Sequence, residues 1–283
     1  MQLKCGPKTL DLTSPAVMAV LNLTPDSFSD GGQLFINQTV DKDKVLNRVE
    51  AMINEGADII DLGGESTRPG AEPVSVQQEL ERVIPVLEWL SKRFDAVFSV
   101  DTSSPQVMLE AKRAGAHLIN DVRALGRDGA LDAALETGLP VCLMHMQNEP
   151  KSMQKNPEYQ DVVSAVINFL NRRKQQCIVA GIAQDQILLD PGFGFGKTLE
   201  HNLSLFAALP ELAEHKHPIV VGVSRKSMIG QIINTEVNDR LIGSVTMAVL
   251  AAQKIYRAGG SMILRVHDVK ETKQAIQIWQ ATK

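Results

Sequence analysis

Short apolar, β-branched runs recur along the chain, and each is apolar on consecutive positions instead of alternating. They are Val17–Leu23, Asp58–Gly64, Val97–Thr102, His117–Val122, Pro140–Met146, Ile187–Gly192, Ile219–Arg225 and Met262–Asp268. Such runs predict parallel strands buried on both faces. Segments of helical period lie between them. From Ser75 to Phe94, the residues Val76, Leu80, Val83, Ile84, Leu87 and Leu90 fall on one face; Ser75 and Gln78 are spaced as a capping box, and Pro85 predicts a kink. From Asp268 to Ala281 the box is repeated by Asp268 and Glu271, with Val269, Ile276 and Trp279 facing inward. Eight strand–helix units over about 250 residues predict a (β/α)8 TIM barrel. No linker or low-complexity stretch divides the chain, so residues 1–283 read as one domain, with 1–16 as an N-terminal extension over the barrel floor. A doubly wound α/β sheet gives the same pattern, because periodicity does not report closure.

Composition narrows the function classes. Against 29 Lys and Arg stand 33 Asp and Glu, a net charge of −4 with no basic cluster, so a nucleic-acid partner lacks its electrostatic footprint. The apolar run Met247–Ala252 is far too short for a membrane span, and the first twelve residues lack the apolar core of a signal peptide. Cys5, Cys142 and Cys177 are odd in number, far apart and form no CxxC, which argues for reduced thiols. The expectation is a soluble cytoplasmic protein without membrane or nucleic-acid partners.

Every predicted strand ends in hydrogen-bonding or charged side chains. These are Asn22, then Glu65 to Gly70, Asp101, Asn120 with Asp121, His145, Asp190, Ser224-Arg225-Lys226, and Arg265 with His267. Polar residues end strands in any α/β protein, since turns and caps need them. In a parallel barrel, however, all eight ends share the rim on which active sites are built. Arg68, Arg225, Lys226, Arg265 and His267 give that rim cations suited to a phosphate or carboxylate. Asp101, Asn120 and Asp190 would be partly desolvated and need paired donors, either from a flat heterocycle such as a guanine or pterin or from ion pairing among these same groups. Other motifs fail. Gly192 to Thr198 resembles a P-loop but is one residue short, and its glycines instead suit positive φ or close backbone approach. His145 has no partner histidine at ligand spacing and reads as a hydrogen-bonded core residue. Met144, Met146, Met153, Met228 and Met262 read as barrel lining.

Five motifs taken together resemble the dihydropteroate synthase family. They are Asn22-Leu-Thr-Pro-Asp-Ser-Phe-Ser-Asp-Gly-Gly32, Gly63-Gly-Glu-Ser-Thr-Arg-Pro-Gly70, Asp190-Pro-Gly-Phe-Gly-Phe-Gly-Lys197, Ser224-Arg-Lys-Ser227 and Arg265-Val-His267. The resemblance implies a magnesium-dependent homodimeric transferase and sulfonamide target. It would join 4-aminobenzoate to (7,8-dihydropterin-6-yl)methyl diphosphate, releasing diphosphate, in folate synthesis. Carried over by motif, Asp101, Asn120, Asp190 and Lys226 would bind the pterin, with Arg265 stacking on it. Asn22 would hold Mg²⁺ against the diphosphate, whose oxygens Arg265 and His267 would bind. Phe28 would lie on the first loop and Thr67, Arg68 and Pro69 on the second. Ser224 would bind the aminobenzoate carboxylate, with Phe195 and the Lys226 stem flanking its ring, and Met144, Gly194 and Gly222 would complete the substrate contacts. Asp101, Lys226, Arg265 and His267 would be the catalytic set. A methyltetrahydrofolate-binding methyltransferase shares the pterin pocket but needs no diphosphate cluster. An inactive pterin-binding paralogue would have no reason to fill every functional position.

Overall fold

The structure, a computed structural model, describes residues 1–24, 34–36, 39–67 and 70–282. It opens on two antiparallel strands, β1 (Gln2–Cys5) and β2 (Lys8–Asp11), turning at Gly6 with a φ of 62°. Strand β3 (Ala16–Asn22) enters the barrel, and β4 (Phe35–Ile36) and β5 (Thr39–Val40) pair in a small sheet of their own. Strands and helices then alternate: α1 (Lys42–Asn54), β6 (Ile59–Gly63), α2 (Val76–Arg93), β7 (Val97–Asp101), α3 (Pro105–Ala114), β8 (Leu118–Asp121), α4 (Ala130–Thr137), β9 (Val141–Met144), α5 (Val162–Ala180) and β10 (Ile187–Asp190). Helices α6 (Leu199–Ala207) and α7 (Leu209–Ala213) lead to β11 (Ile219–Val221). Helices α8 (Ser227–Ile233) and α9 (Leu241–Arg257) lead to β12 (Met262–Val266), and α10 (Val269–Ala281) follows.

Eight of these strands are parallel and closed in the order β10-β11-β12-β3-β6-β7-β8-β9, which selects the (β/α)8 TIM barrel over the open sheet. Each expected strand is present; β3 has the expected length but begins one residue earlier, and the other seven are shorter. The largest difference is at β11, which stops at Val221 although the apolar pattern continues to Val223. Arg225 has a left-handed φ of 56°, so the chain turns out of the ladder before it can pair further.

Two apolar clusters form because successive strand residues point to opposite faces. Outward residues, among them Val17, Ala19, Leu21, Ile60, Leu62, Phe98 and Val100, pack beneath the helices. Inward residues at the strand starts, including Met18, Ile59, Val97, Leu118, Cys142, Leu188, Val220 and Ile263, pack on Leu3, Cys5 and Leu10 of the hairpin. The hairpin therefore plugs the barrel at its N-terminal end. Among the described residues no helix is long and apolar enough to cross a membrane.

Helix α2 has the expected capping box: Gln78 N–H donates to Ser75 Oγ at 3.2 Å and Ser75 N–H to Gln78 Oε1 at 2.9 Å. The helix is continuous through Pro85. Its buried face uses Val83, Val86, Leu87 and Leu90, whereas Val76 in the first turn is 39% exposed. The second expected box does not form. Asp268 precedes α10, but its carboxylate takes the Nε (2.9 Å) and Nη2 of Arg225 and makes no side-chain cap bond. A guanidinium offers two charge-assisted bonds where a helix N-terminus offers one ordinary N–H. Of the residues expected to face inward on α10, Val269 and Ile276 are buried, and Trp279 packs at the edge of the core, 5.6 Å from the Tyr256 ring.

His117, at the entry to β8, is buried and its Nδ1 accepts the N–H of Phe98 at 3.2 Å, so the ring is held neutral. Burial, and then the charges of Lys8 and Lys112, push it down to about 4. An unfolded histidine protonates near 6.5, so between these values the unfolded chain binds the extra proton and stability falls as pH falls. Replacing His117 with glutamine should lower the acid slope of urea-unfolding free energy by up to about 1.4 kcal/mol per pH unit between about pH 6 and 5. An unchanged slope would contradict this placement of the ring.

Candidate active site

Above the apolar floor most of the inward positions become polar. Two residues further along each strand stand Val20, Asp61, Ser99, Asn120, Met144, Asp190, Gly222 and Arg265, all buried except the half-buried Arg265. A further step brings Asn22, Gly63 and Asp101 into register across β3, β6 and β7. The same alternation separates Asn120, inside, from Asp121, whose carboxylate holds the β8–α4 turn. Asp121 accepts from the hydroxyl of Ser103 and from the N–H groups of Arg123 (2.8 Å) and Leu125 (2.7 Å).

Arg265 joins the layer together. Its Nε donates to Asp61 Oδ2 at 2.7 Å and its Nη2 to Asp101 Oδ2 at 2.9 Å. Asp61 Oδ2 also accepts from Asn120 Nδ2 at 3.1 Å, so one carboxylate orients residues on β8 and β12. Burial pushes Asp101 up to about 8, with the charges of Asp61 and Asp121 adding to the shift while Arg265 opposes it. Burial raises Asp190 as well, against the pull of Lys226 and the N–H of Gly192, which donates to Asp190 Oδ1 at 2.7 Å. Lys226 is pushed down to about 8, again by burial, with Asp190 opposing. Its ammonium donates to the carbonyl of Phe193 and stands 4.6 Å from the centre of the Phe195 ring. A mouth with dehydrated carboxylates on one side and cations on the other can bind a ligand that carries ring donors at one end and an anion at the other.

Ser224 and His267 meet across β11 and β12. Ser224 Oγ accepts the backbone N–H of His267 at 3.2 Å, which leaves its own hydrogen for His267 Nδ1 at 3.1 Å. A Cβ on Gly222 would stand 3.9 Å from Arg265 Cβ and from Lys226 Nζ, in ordinary contact with both, which places this glycine between the two cations. Thr67 is half-buried at the end of the β6 loop, Met144 is buried in the layer, and Asn22 is half-buried as the last residue of β3.

Not every expected residue joins this group. Arg225 is not a cation on offer to a ligand, because its guanidinium is committed to Asp268 and its backbone to Ser244 and Arg240. His145, as expected of a hydrogen-bonded core residue, points outward into the core, edge-on to Phe169 at 5.0 Å, with Nδ1 2.9 Å from Lys197 Nζ. Phe28, Arg68 and Pro69 lie outside the described residues. Asp61 is the residue that the strand-end pattern overlooks. It is fully buried in the middle of an apolar run, and the signal available was a lone carboxylate at an inward position two residues before Gly63. Beside the site, Arg123 bonds Glu65 (3.2 Å), Glu149 (3.1 Å) and Ser103 (3.1 Å), tying the start of the second loop to the β7 and β8 ends.

Comparison with known proteins gives a consistent answer. A family model described as pterin binding enzyme matches residues 18–267. The dihydropteroate synthase of Escherichia coli strain K12 is 54% identical over 282 residues, spanning 100% of this chain and 96% of its own. That of Haemophilus influenzae is 49% identical, spanning 100% and 99%. Among solved structures, Yersinia pestis dihydropteroate synthase in complex with a sulfonamide drug matches with a TM-score of 0.94 and 53% identity, over 100% of this chain and 99% of that one. Xanthomonas albilineans dihydropteroate synthase with 4-aminobenzoic acid matches at 0.89 and 45%, over 99% and 97%. Likeness of this extent, on a barrel whose mouth carries Asn22, Asp101, Asn120, Asp190 and Arg265, means that the chain belongs to the dihydropteroate synthases of the pterin-binding enzyme family.

Proposed function

We propose that this transferase condenses (7,8-dihydropterin-6-yl)methyl diphosphate with 4-aminobenzoate, giving 7,8-dihydropteroate and diphosphate for folate synthesis. The observation that carries the reading is the convergence of Asp101, Asn120, Asp190, Lys226 and Arg265 in one inward-facing polar group at the barrel mouth. The aminobenzoic acid and the sulfonamide bound by relatives support placing both ligand classes here. The reading also takes from the family a homodimeric, cytoplasmic enzyme that sulfonamides inhibit.

In this account Asp190 and Asn120 receive the pterin's ring donors, which exchanges a dehydrated carboxylate for a paired one. Departure of diphosphate leaves positive charge on the pterin methylene and ring, and the carboxyl groups of Asp101 and Asp190 face that charge, which favours their ionised forms. Arg265, held from behind by Asp61, neutralises the leaving oxygens together with His267. The aromatic amine attacks once the cation forms, so no general base is needed before the bond is made. Ser224 holds the aminobenzoate carboxylate, and Phe195 and the Lys226 stem hold its ring.

Among the described residues no three carboxylates, histidines or cysteines cluster as a metal site. Asn22, at the end of β3, offers one neutral amide oxygen beside the polar layer. That donor set fits Mg²⁺, which keeps several waters and takes its remaining ligands from phosphate oxygens, and would not retain the ion alone. When bound, the ion would add charge neutralisation on the diphosphate.

Diphosphate release from the dihydropterin substrate, with and without 4-aminobenzoate and Mg²⁺, tests the proposal. Release that needs both, with an equal amount of dihydropteroate, is expected; tight pterin binding without release would indicate an inactive paralogue. Asp190→Ala should weaken calorimetric pterin-diphosphate binding by about 2–4 kcal/mol, because ring donors stay buried without an acceptor. Unchanged affinity would remove Asp190 from this role. Arg265→Ala should lower kcat about 10²-fold, as loss of an oxyanion-stabilising donor does; an effect confined to KM would count against it.

A further inference from the structure

The glycine-rich turn between β10 and α6 carries Phe195 to the mouth, and side chains, not a strand ladder, hold its shape. Gly192, Gly194 and Gly196 all have positive φ, at 68°, 79° and 63°. Gly192 also lies so close to the strand that a Cβ would stand 1.9 Å from the carbonyl oxygen of His145. At the centre is the ammonium of Lys197, a residue only 4% exposed. Its Nζ donates to the carbonyls of Gly192 (2.9 Å) and Phe195 (3.0 Å) and to His145 Nδ1 (2.9 Å), with the His145 carbonyl at 3.4 Å. The other carbonyls are taken from outside: Phe193 by Lys226, Gly194 by Gln154 and Gly196 by the Tyr159 hydroxyl at 2.9 Å. Burial, followed by the charge of Lys197, pushes His145 down to about 3, so at neutral pH its ring is uncharged and Nδ1 can accept.

We propose that Lys197 is a positioning residue for the aromatic-amine substrate: its buried ammonium gathers the Gly192 and Phe195 carbonyls onto the end of β9 and so fixes the Phe195 ring opposite Lys226. The proposal rests on the reading that Phe195 and the Lys226 stem flank the aminobenzoate ring. Burial, followed by the charge of Lys226, pushes Lys197 down to about 7 against the pull of Asp190, while the three acceptors gathered around Nζ favour its ammonium form, an internal cation. Without it the Phe195 carbonyl and the His145 Nδ1 lose their donor, the Gly192 carbonyl keeps only the N–H of Phe195 at 3.1 Å, and a turn with three positive-φ glycines has the freedom to reorganise around water. Asn120, Asp101 and Arg265 sit on strands fixed by the barrel ladder, and of the pterin contacts Asp190 and Lys226 alone touch the turn, through the Gly192 N–H and the Phe193 carbonyl, so most of the pterin half stands without the clamp.

Lys197→Met keeps the stem and removes the charge and donors. In the full-length protein it should raise KM for 4-aminobenzoate about tenfold or more, while kcat and the calorimetric Kd for pterin diphosphate change less than about threefold. Amide exchange of residues 192–196 should quicken at least tenfold. A fall in kcat with KM unchanged, an equal loss of pterin affinity, or unchanged exchange would overturn the proposal. Lys197→Gln, which retains two donors, should give the same split at smaller amplitude. If neither variant folds, the lysine serves barrel stability and the proposal also fails. Wild-type protein that releases no diphosphate would instead refute the functional reading, and the exchange measurement would still decide whether the clamp exists.

Discussion

A single guanidinium stands between two carboxylates at the centre of the barrel, and the site is arranged around it. Asp61 and Asp101 lie on neighbouring strands and point to the same axis, where burial and mutual repulsion disfavour a second negative charge unless a cation stands beside it. Arg265 supplies that cation from β12 and bonds both. A buried ion pair of this kind is a poor device for stability alone, because apolar side chains of similar volume are often at least as stabilising. The layer beneath shows that this chain can build such an apolar plug: Ile59, Val97, Leu118 and Leu188 fill the floor. The polar layer is therefore best understood through what it binds.

Alternation along the strands turns that chemistry into geometry. Each strand sends alternate side chains to the axis, so one step of two residues converts the sealed floor into a charged mouth. The outward residues meanwhile pack under the helices and fix the strands. Carboxyl groups and cations placed this way would need little rearrangement as charge developed on the proposed pterin diphosphate, which is the condition under which electrostatic stabilisation is most effective. The turns that complete the mouth are held differently, by side chains bonding to backbone carbonyls.

Much of this was legible in the sequence. Consecutive apolar runs gave the eight strands, and the polar residues at their ends gave Asp101, Asn120, Asp190 and Arg265, because in a parallel barrel strand ends and site coincide. Asp61 was missed because it lies inside a run, where only register reveals that it faces the axis. Arg225 read as a rim cation because its partner, Asp268, is distant in sequence and follows a different strand. The same pairing removed the expected cap from α10. Lys197 sat in a motif rightly rejected as a P-loop, but no spacing rule shows that a lysine will turn back into its own loop. Arg68, Pro69 and Phe28 lie outside the described residues, so their expected roles stand on the family resemblance.

In this arrangement Asp61 acts through Arg265. A double-mutant cycle on the rate of diphosphate release tests it most directly, using Asp61→Asn and Arg265→Ala singly and together. The account predicts that Asp61→Asn slows release about tenfold or more in the otherwise unchanged protein, and less than about twofold once Arg265 is gone. Effects that multiply in the double variant would show that the two residues act independently and would contradict the account.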